Sequence, residues 1–197
     1  MKKVLALMGS SRKNKNTNKA LDLVLDSMDK EEYKIVKLNL ADLNINPCTN
    51  CGYCGRKEDC MTKDDMHIIY DYFDNSDVVI VAAPLYFNSV NGLTKNMIDR
   101  CQRYWSLKYV LGKKYKNTED RRGMFISPAG APFSMEHFVG VQPVLNHFFN
   151  AINVKHIGNY FISNTDKEPV ESREDIKKEL AQIGQNFSTI KKFQIHR

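Results

Sequence analysis

The sequence predicts an α/β domain built on a five-stranded parallel sheet with helices on both faces. Three observations predict it. Short apolar runs alternate along the 197 residues with longer stretches at helical spacing. Two runs, residues 4–8 and 78–83, are continuously apolar rather than alternating, as strands buried on both faces are. The runs end in punctuating residues, Gly9, Pro84 and Ser127-Pro128-Ala129-Gly130.

Taken in order, the first strand, 4–8, opens into a polar loop over 9–16. Thr17 then offers an N-cap for a helix bearing Leu21, Val24, Leu25 and Met28. Residues 33–40 alternate and read as a second strand. Thr62-Lys63-Asp64-Asp65 has capping-box form, so a helix is expected to start there with Ile68, Ile69, Tyr72 and Phe73 on one face. The third strand, 78–83, stops at Pro84. The next helix, about 90–105, carries Val90, Leu93, Met97, Ile98, Cys101 and Trp105 on one stripe, where Cys101 reads as a small buried hydrophobe. A basic connection over 108–122 leads to a fourth strand at 123–127. A helical segment over 134–152 is expected to kink or break at Pro143. A fifth strand at 154–163 and a charged loop at 166–175 precede a terminal helix marked by Ile176, Leu180, Ile183, Phe187 and Ile190.

Right-handed crossovers leave few topologies for this pattern, and the flavodoxin-like three-layer order 2-1-3-4-5 is expected. It makes residues 1–197 one domain, with a cysteine-rich insertion at about 47–62. It also brings the carboxyl ends of strands one and three together as the ligand position.

Hydrophobic and charged contents of 42% and 26% are those of an ordinary soluble chain. The apolar run 4–8 is too short for a signal-peptide core, and no run of about 18 apolar residues exists. A cytoplasmic protein with reduced cysteines and no membrane span is expected. The net charge of +6 favours anionic ligands such as phosphates. The basic residues are dispersed, which argues against a nucleic-acid partner.

Cys48, Cys51, Cys54 and Cys60 fall in a C-x2-C-x2-C-x5-C run. The tight spacing is of the iron–sulfur type, with a 4Fe–4S cluster as the first reading. Zinc and redox-active thiols are the alternatives. Disulfides are the weaker reading in a chain that does not look secreted.

Three loops meet at one sheet edge in the expected topology. The first, 9–18, is neither a P-loop nor a dinucleotide fingerprint. It offers hydroxyls, amides, an arginine and the free N–H groups of a helix N-terminus, which together suit a terminal phosphate monoester. The second, 83–92, carries Tyr86 and Phe87 past the end of a strand, where they suit a flat ring system. The third, 127–132, is made of small residues that admit close approach to the backbone. A phosphate grip, an aromatic loop and a small-residue loop are the parts of an FMN pocket.

Gly9-Ser10-Ser11-Arg12 with Asn16-Thr17 resembles the phosphate loop of the NADPH-dependent FMN reductase and flavodoxin-like superfamily. Pro84-Leu85-Tyr86-Phe87 with Val90, Gly92, Lys95 and Ile98-Asp99-Arg100 resembles its second signature, and the cysteine run is similar to that of the iron–sulfur flavoprotein branch. The resemblance covers residues 1 to about 165. It implies that Ser10, Arg12, Asn16, Thr17 and Asn18 hold the FMN phosphate. It implies that Pro84, Leu85, Tyr86, Phe87 and Asn88 contact the ribityl chain and isoalloxazine ring, and that Ser127, Ala129 and Gly130 close over the ring. It further implies a homodimer or homotetramer. The expected activity is NAD(P)H oxidation through FMN, with a 4Fe–4S cluster at Cys48, Cys51, Cys54 and Cys60 as a candidate relay, to a quinone, flavin, oxygen or protein acceptor. No side chain is required as acid or base, and His137 reads as a packing residue in a helix. A flavodoxin-type electron carrier without turnover and a zinc- or thiol-based redox sensor are the competing readings.

Overall fold

The computed structural model describes residues 1–116, 121–134 and 136–197. Its central sheet holds β1 (Lys2–Met8), β2 (Tyr33–Asn39), β3 (Val78–Ala82), β6 (Arg122–Pro128), β7 (Lys155–Ile162) and β8 (Phe193–His196), in the order β2-β1-β3-β6-β7-β8. Every pair in it is parallel. A separate antiparallel hairpin, β4 (Leu85–Tyr86) and β5 (Ser89–Val90), leaves the end of β3.

The period-two alternation of the strands divides the core. Leu5 and Leu7 of β1 and Val79 and Val81 of β3 join one apolar cluster with α2 (Met66–Asn75), α3 (Gly92–Arg100), α4 (Gln102–Tyr109) and α5 (Val141–Ala151). Val4, Ala6, Met8, Val78, Ile80 and Ala82 face the other way, against α1 (Asn16–Asp26) and α6 (Glu174–Gln185). The continuous apolar runs are therefore two interleaved faces, each covered by helices. Register places Met8 beside Ala82, Ala82 beside Ile126 and Ser127 beside Phe161, so the carboxyl ends of four strands finish level.

The expected order 2-1-3-4-5 holds, with a sixth strand added at its far edge. Four residues at the chain end give too little periodicity to mark β8. Its pairing depends on Gly158 of β7, where a Cβ would stand 2.2 Å from the Phe193 ring. The helix expected over 90–105 is two helices that meet at Cys101, whose backbone (φ −68, ψ 0) stays right-handed but flattens, its N–H bonding to Ile98 O (2.9 Å). Val90 belongs to the hairpin instead, and Cys101 is buried as expected. Of the segment expected to be helical over 134–152, residue 135 lies outside the described residues, and the described ones are helical only from Val141. Pro143 stands in that helix's first turn, where a missing N–H breaks no bond, so it neither kinks nor breaks it. His137 therefore lies in a turn and not in a helix. Thr17 lies inside α1 rather than capping it. Of the connection over 108–122, residues 117–120 lie outside the described residues. Arg121 at its end is buried and donates to the carbonyls of Phe73, Ser76, Ile152 and Asn153, which gather the ends of α2 and α5.

Candidate functional site

The three loops converge at the level carboxyl ends of the strands, and backbone bonds stitch them together. Gly9 N–H donates to the Ala82 carbonyl (2.7 Å), tying the first loop to β3. Asn91, the N-cap of α3, donates from Nδ2 to the Gly9 carbonyl (2.6 Å). Ala129 N–H reaches Ile162 O (2.7 Å), and Thr165 N–H returns to Ala129 O (3.0 Å), closing the third loop against the segment after β7.

The first loop leads into a helix end that is open to an anion. α1 begins at Asn16 with Lys15 as its N-cap residue, and Lys15 makes no side-chain cap bond. The first turn holds no acidic residue, so the helix end keeps its unspent N–H groups and positive dipole. Ser10 is buried, and its Oγ accepts from Arg12 N–H (3.2 Å). The Arg12 side chain is exposed and makes no hydrogen bond or ion pair among the described residues. Thr17 is buried in the first turn.

Asn16 and Asn18 are already committed. Asn16 donates to Thr165 O (3.2 Å) and accepts from Val170 N–H (3.0 Å), pinning α1 to the segment after β7. Asn18 donates to Asp22 (2.7 Å) and accepts from Lys37 Nζ (2.7 Å) on β2. Both side chains tie the loop and the first turn of α1 to their surroundings.

In the second loop Pro84 is buried, Leu85 half-buried, and Tyr86, Phe87 and Asn88 are exposed. Phe87 and Asn88 both take positive φ (48° and 55°), the geometry of a type I′ two-residue hairpin turn. Such a φ is costly for a phenylalanine, and strained residues of this kind gather at ligand sites. In the third loop Ser127 and Ala129 are buried, and Ser127 Oγ has no hydrogen-bond partner among the described residues. A Cβ on Gly130 would meet the Asp166 carboxylate at 2.3 Å. Sequence reasoning missed Asn91, although an asparagine one residue before a helical stripe is a cap signal. It also missed Thr165, whose part depends on a fold-level contact that no local pattern shows.

All four cysteines of the run are free thiols and line one cavity of about 180 Å³. Its walls come from residues 48–55 and 60–62 and from Arg100, Gln102, Arg103, Trp105, Ser106 and Val110, and none come from the three loops. Asn50 and Gly52, at φ 50° and 70°, turn the chain between the first thiols. Cys54 Sγ lies 3.4 Å from Ser106 Oγ. No group of three or more His, Cys, Asp or Glu among the described residues is arranged to hold a metal ion.

Arg100 and Asp64 form an ion pair at 2.6 Å beside this cavity, each side chain 1% exposed. Burial would raise the Asp64 carboxyl, but the Arg100 hydrogen bond and the Asn46 and Met66 amides outweigh it and hold it below the usual carboxylate range. Asp64 thus spends an amide at the start of α2 on its own carboxylate.

The model of the NADPH-dependent FMN reductase family matches residues 2–168. An iron-sulfur flavoprotein of Archaeoglobus fulgidus is 34% identical over 56% of this chain, and the chain spans only about half (50%) of that relative's length. A second Archaeoglobus iron-sulfur flavoprotein is 24% identical, with 94% of this chain and 95% of that protein aligned. Among solved structures, the FMN-dependent NADH-azoreductase of Bacillus anthracis str. Ames Ancestor in complex with FMN superposes with a TM-score of 0.69 at 15% identity, covering 95% of this chain and all (100%) of that one.

Proposed function

The chain belongs to the NADPH-dependent FMN reductase family, and on that premise we propose that it is an FMN-dependent NAD(P)H oxidoreductase whose four-cysteine pocket holds a 4Fe–4S cluster. One observation carries the flavin half. The uncapped N-terminus of α1 stands beside the buried Ser10 and the unspent Arg12. A loop that offers an uncapped helix end, an ordered serine hydroxyl and an arginine side chain without a partner among the described residues fits a phosphate monoester. The buried Ser127 hydroxyl, without a partner among the described residues, supports the same reading, since a buried polar atom without a partner calls for one.

When bound, FMN supplies hydride acceptance from a reduced nicotinamide and onward delivery of the electrons. The chain's own residues do the rest. Arg12 and the α1 amides neutralise the phosphate, the strained Phe87–Asn88 turn presents the hairpin, and Ser127, Ala129 and Gly130 give a small-residue wall. Asn16 and Asn18 act by holding the loop.

For the cysteines, the support is a shared cavity with four free thiols along its walls. Cys48, Cys51, Cys54 and Cys60 would hold the cluster, since four thiolates are the ligand set that a 4Fe–4S group takes. Such a cluster would supply one-electron transfer to an acceptor.

The test is iron and FMN content on protein purified without oxygen, together with NADH and NADPH oxidation. One FMN and about four irons per chain, with turnover, support the reading. FMN with turnover but no iron removes the cluster. FMN without turnover leaves an electron carrier, and metal without FMN overturns the flavin site.

A further inference from the structure

One helix touches both halves of the chemistry. At the N-cap of α3, Asn91 holds the Gly9 carbonyl. At its last residue, Arg100 enters the cysteine segment. Nine residues of helix span about 13 Å. The Arg100 guanidinium is buried and makes five contacts. Nη1 donates to Asn46 O (2.9 Å) and Asp64 Oδ2 (2.6 Å), and Nη2 to Asp64 Oδ1 (3.1 Å), Thr62 O (3.2 Å) and Cys60 Sγ (3.4 Å). Asn46 and Thr62 bracket the four cysteines, so one side chain closes the loop that carries them.

We propose that Arg100 is the positioning residue of the four-cysteine site, closing the 46–62 loop and donating an N–H···S hydrogen bond to Cys60. The tuning part rests on the reading of these cysteines as an iron–sulfur site, whereas the closure part does not. Asp64 cancels most of the guanidinium's charge, so Arg100 acts through its directed N–H groups. Hydrogen bonds to a ligating sulfur raise a cluster's reduction potential, because they stabilise the more negative reduced form. Lysine cannot stand in: an ammonium is a point donor and cannot reach acceptors laid out around a planar fork.

The experiment compares wild type with R100K, using FMN content as the control for folding. Two quantities are read: amide hydrogen exchange over residues 47–62 in metal-free protein, and the midpoint potential of the reconstituted cluster. In R100K, exchange over 47–62 rises roughly tenfold or more while the central sheet stays protected. The cluster potential shifts lower while the flavin potential holds. Wild-type exchange in R100K overturns the proposal whatever the iron content, and an unchanged cluster potential overturns it in loaded protein. If wild type takes up no iron, the iron–sulfur reading fails by itself and the exchange measurement still decides loop closure. Should R100K not fold, Asp64→Asn, which removes the guanidinium's carboxylate anchor, is read in the same two ways.

Discussion

Asn91 Nδ2 lies 2.6 Å from the carbonyl oxygen of Gly9, while Asn91 Oδ1 accepts from the amide and the hydroxyl of Thr94 (3.4 and 2.7 Å). One buried side chain thus caps α3 and fixes the start of the first loop. Asn91→Ala loses the cap and leaves a buried carbonyl without a partner, a cost of about 1–3 kcal/mol. The variant should show both a lower urea midpoint and weaker FMN binding in a fluorescence titration. Wild-type FMN affinity in a destabilised variant would separate the cap from the loop and refute the link.

Gly9 itself cannot take a side chain. A Cβ there would stand 2.1 Å from Thr94 Oγ1, 3.0 Å from Ala83 Cβ and 3.2 Å from Ala82 O, and the last of these is backbone of a central strand. Gly9→Ala should cost about 1–3 kcal/mol by overpacking. Gly92, the first residue of α3, has nothing within 4 Å of the same position and a negative φ. Gly92→Ala should be neutral or stabilising by about 0.4–1 kcal/mol. Thermal melts of the two variants check the contrast, and equal shifts would contradict it.

Arg12 and Asn16 belong to the same loop and should fail differently. The Arg12 side chain has no partner among the described residues, so Arg12→Ala should leave the melting temperature in place and weaken FMN binding about tenfold or more, at about 1.5–3 kcal/mol for a charge-assisted contact. Asn16 spends both ends of its amide on Thr165 and Val170. Asn16→Ala should lower stability by about 1–2 kcal/mol and affect FMN only through it. Reversed outcomes in the paired titration and melt would assign the phosphate contact to Asn16.

Much of this was legible in the sequence because it rests on local rules. Residues 4–8 and 78–83 are apolar throughout since both faces of β1 and β3 are covered, and this gave the sheet class and its order. The positions of the three loops followed from where those strands end. What stayed hidden depends on contacts between distant residues. Asn16 and Asn18 look like ligands by type, yet their partners on β2 and beyond β7 come close only in the folded chain. The break at Cys101 leaves no mark because both sides of it continue the apolar stripe. Arg100 stood out as part of a motif, but its task needed Asn46 and Thr62 to be brought beside it.

The strand that the sequence did not reveal, β8, yields the last prediction. It pairs with β7 from Gly158 to Phe161, and the backbone of Arg197 extends the ladder to Phe161 and Ser163. Its end is held to α6 by Glu179, which accepts from Arg197 Nε (2.9 Å) and Nη2 (2.6 Å) and from the Tyr160 hydroxyl (2.6 Å). The Arg197 hydrogen bond outweighs burial and holds the Glu179 carboxyl below its ordinary value of 4.5. A carboxyl whose folded pKa is depressed contributes stability above its unfolded pKa and loses it as pH falls through the folded one. The contribution is small, under about 1 kcal/mol, because both side chains are partly exposed. It is local to the sheet edge, so acidification below about pH 4.5 should lower the amide protection factors (exchange relative to the intrinsic rate at the same pH) at Phe193–His196 before it does so in β1 or β3. Glu179→Gln should give the same selective fraying at neutral pH. Uniform exchange across all six strands on acidification, or a protected β8 in that variant, would show that β8 is held by its ladder alone.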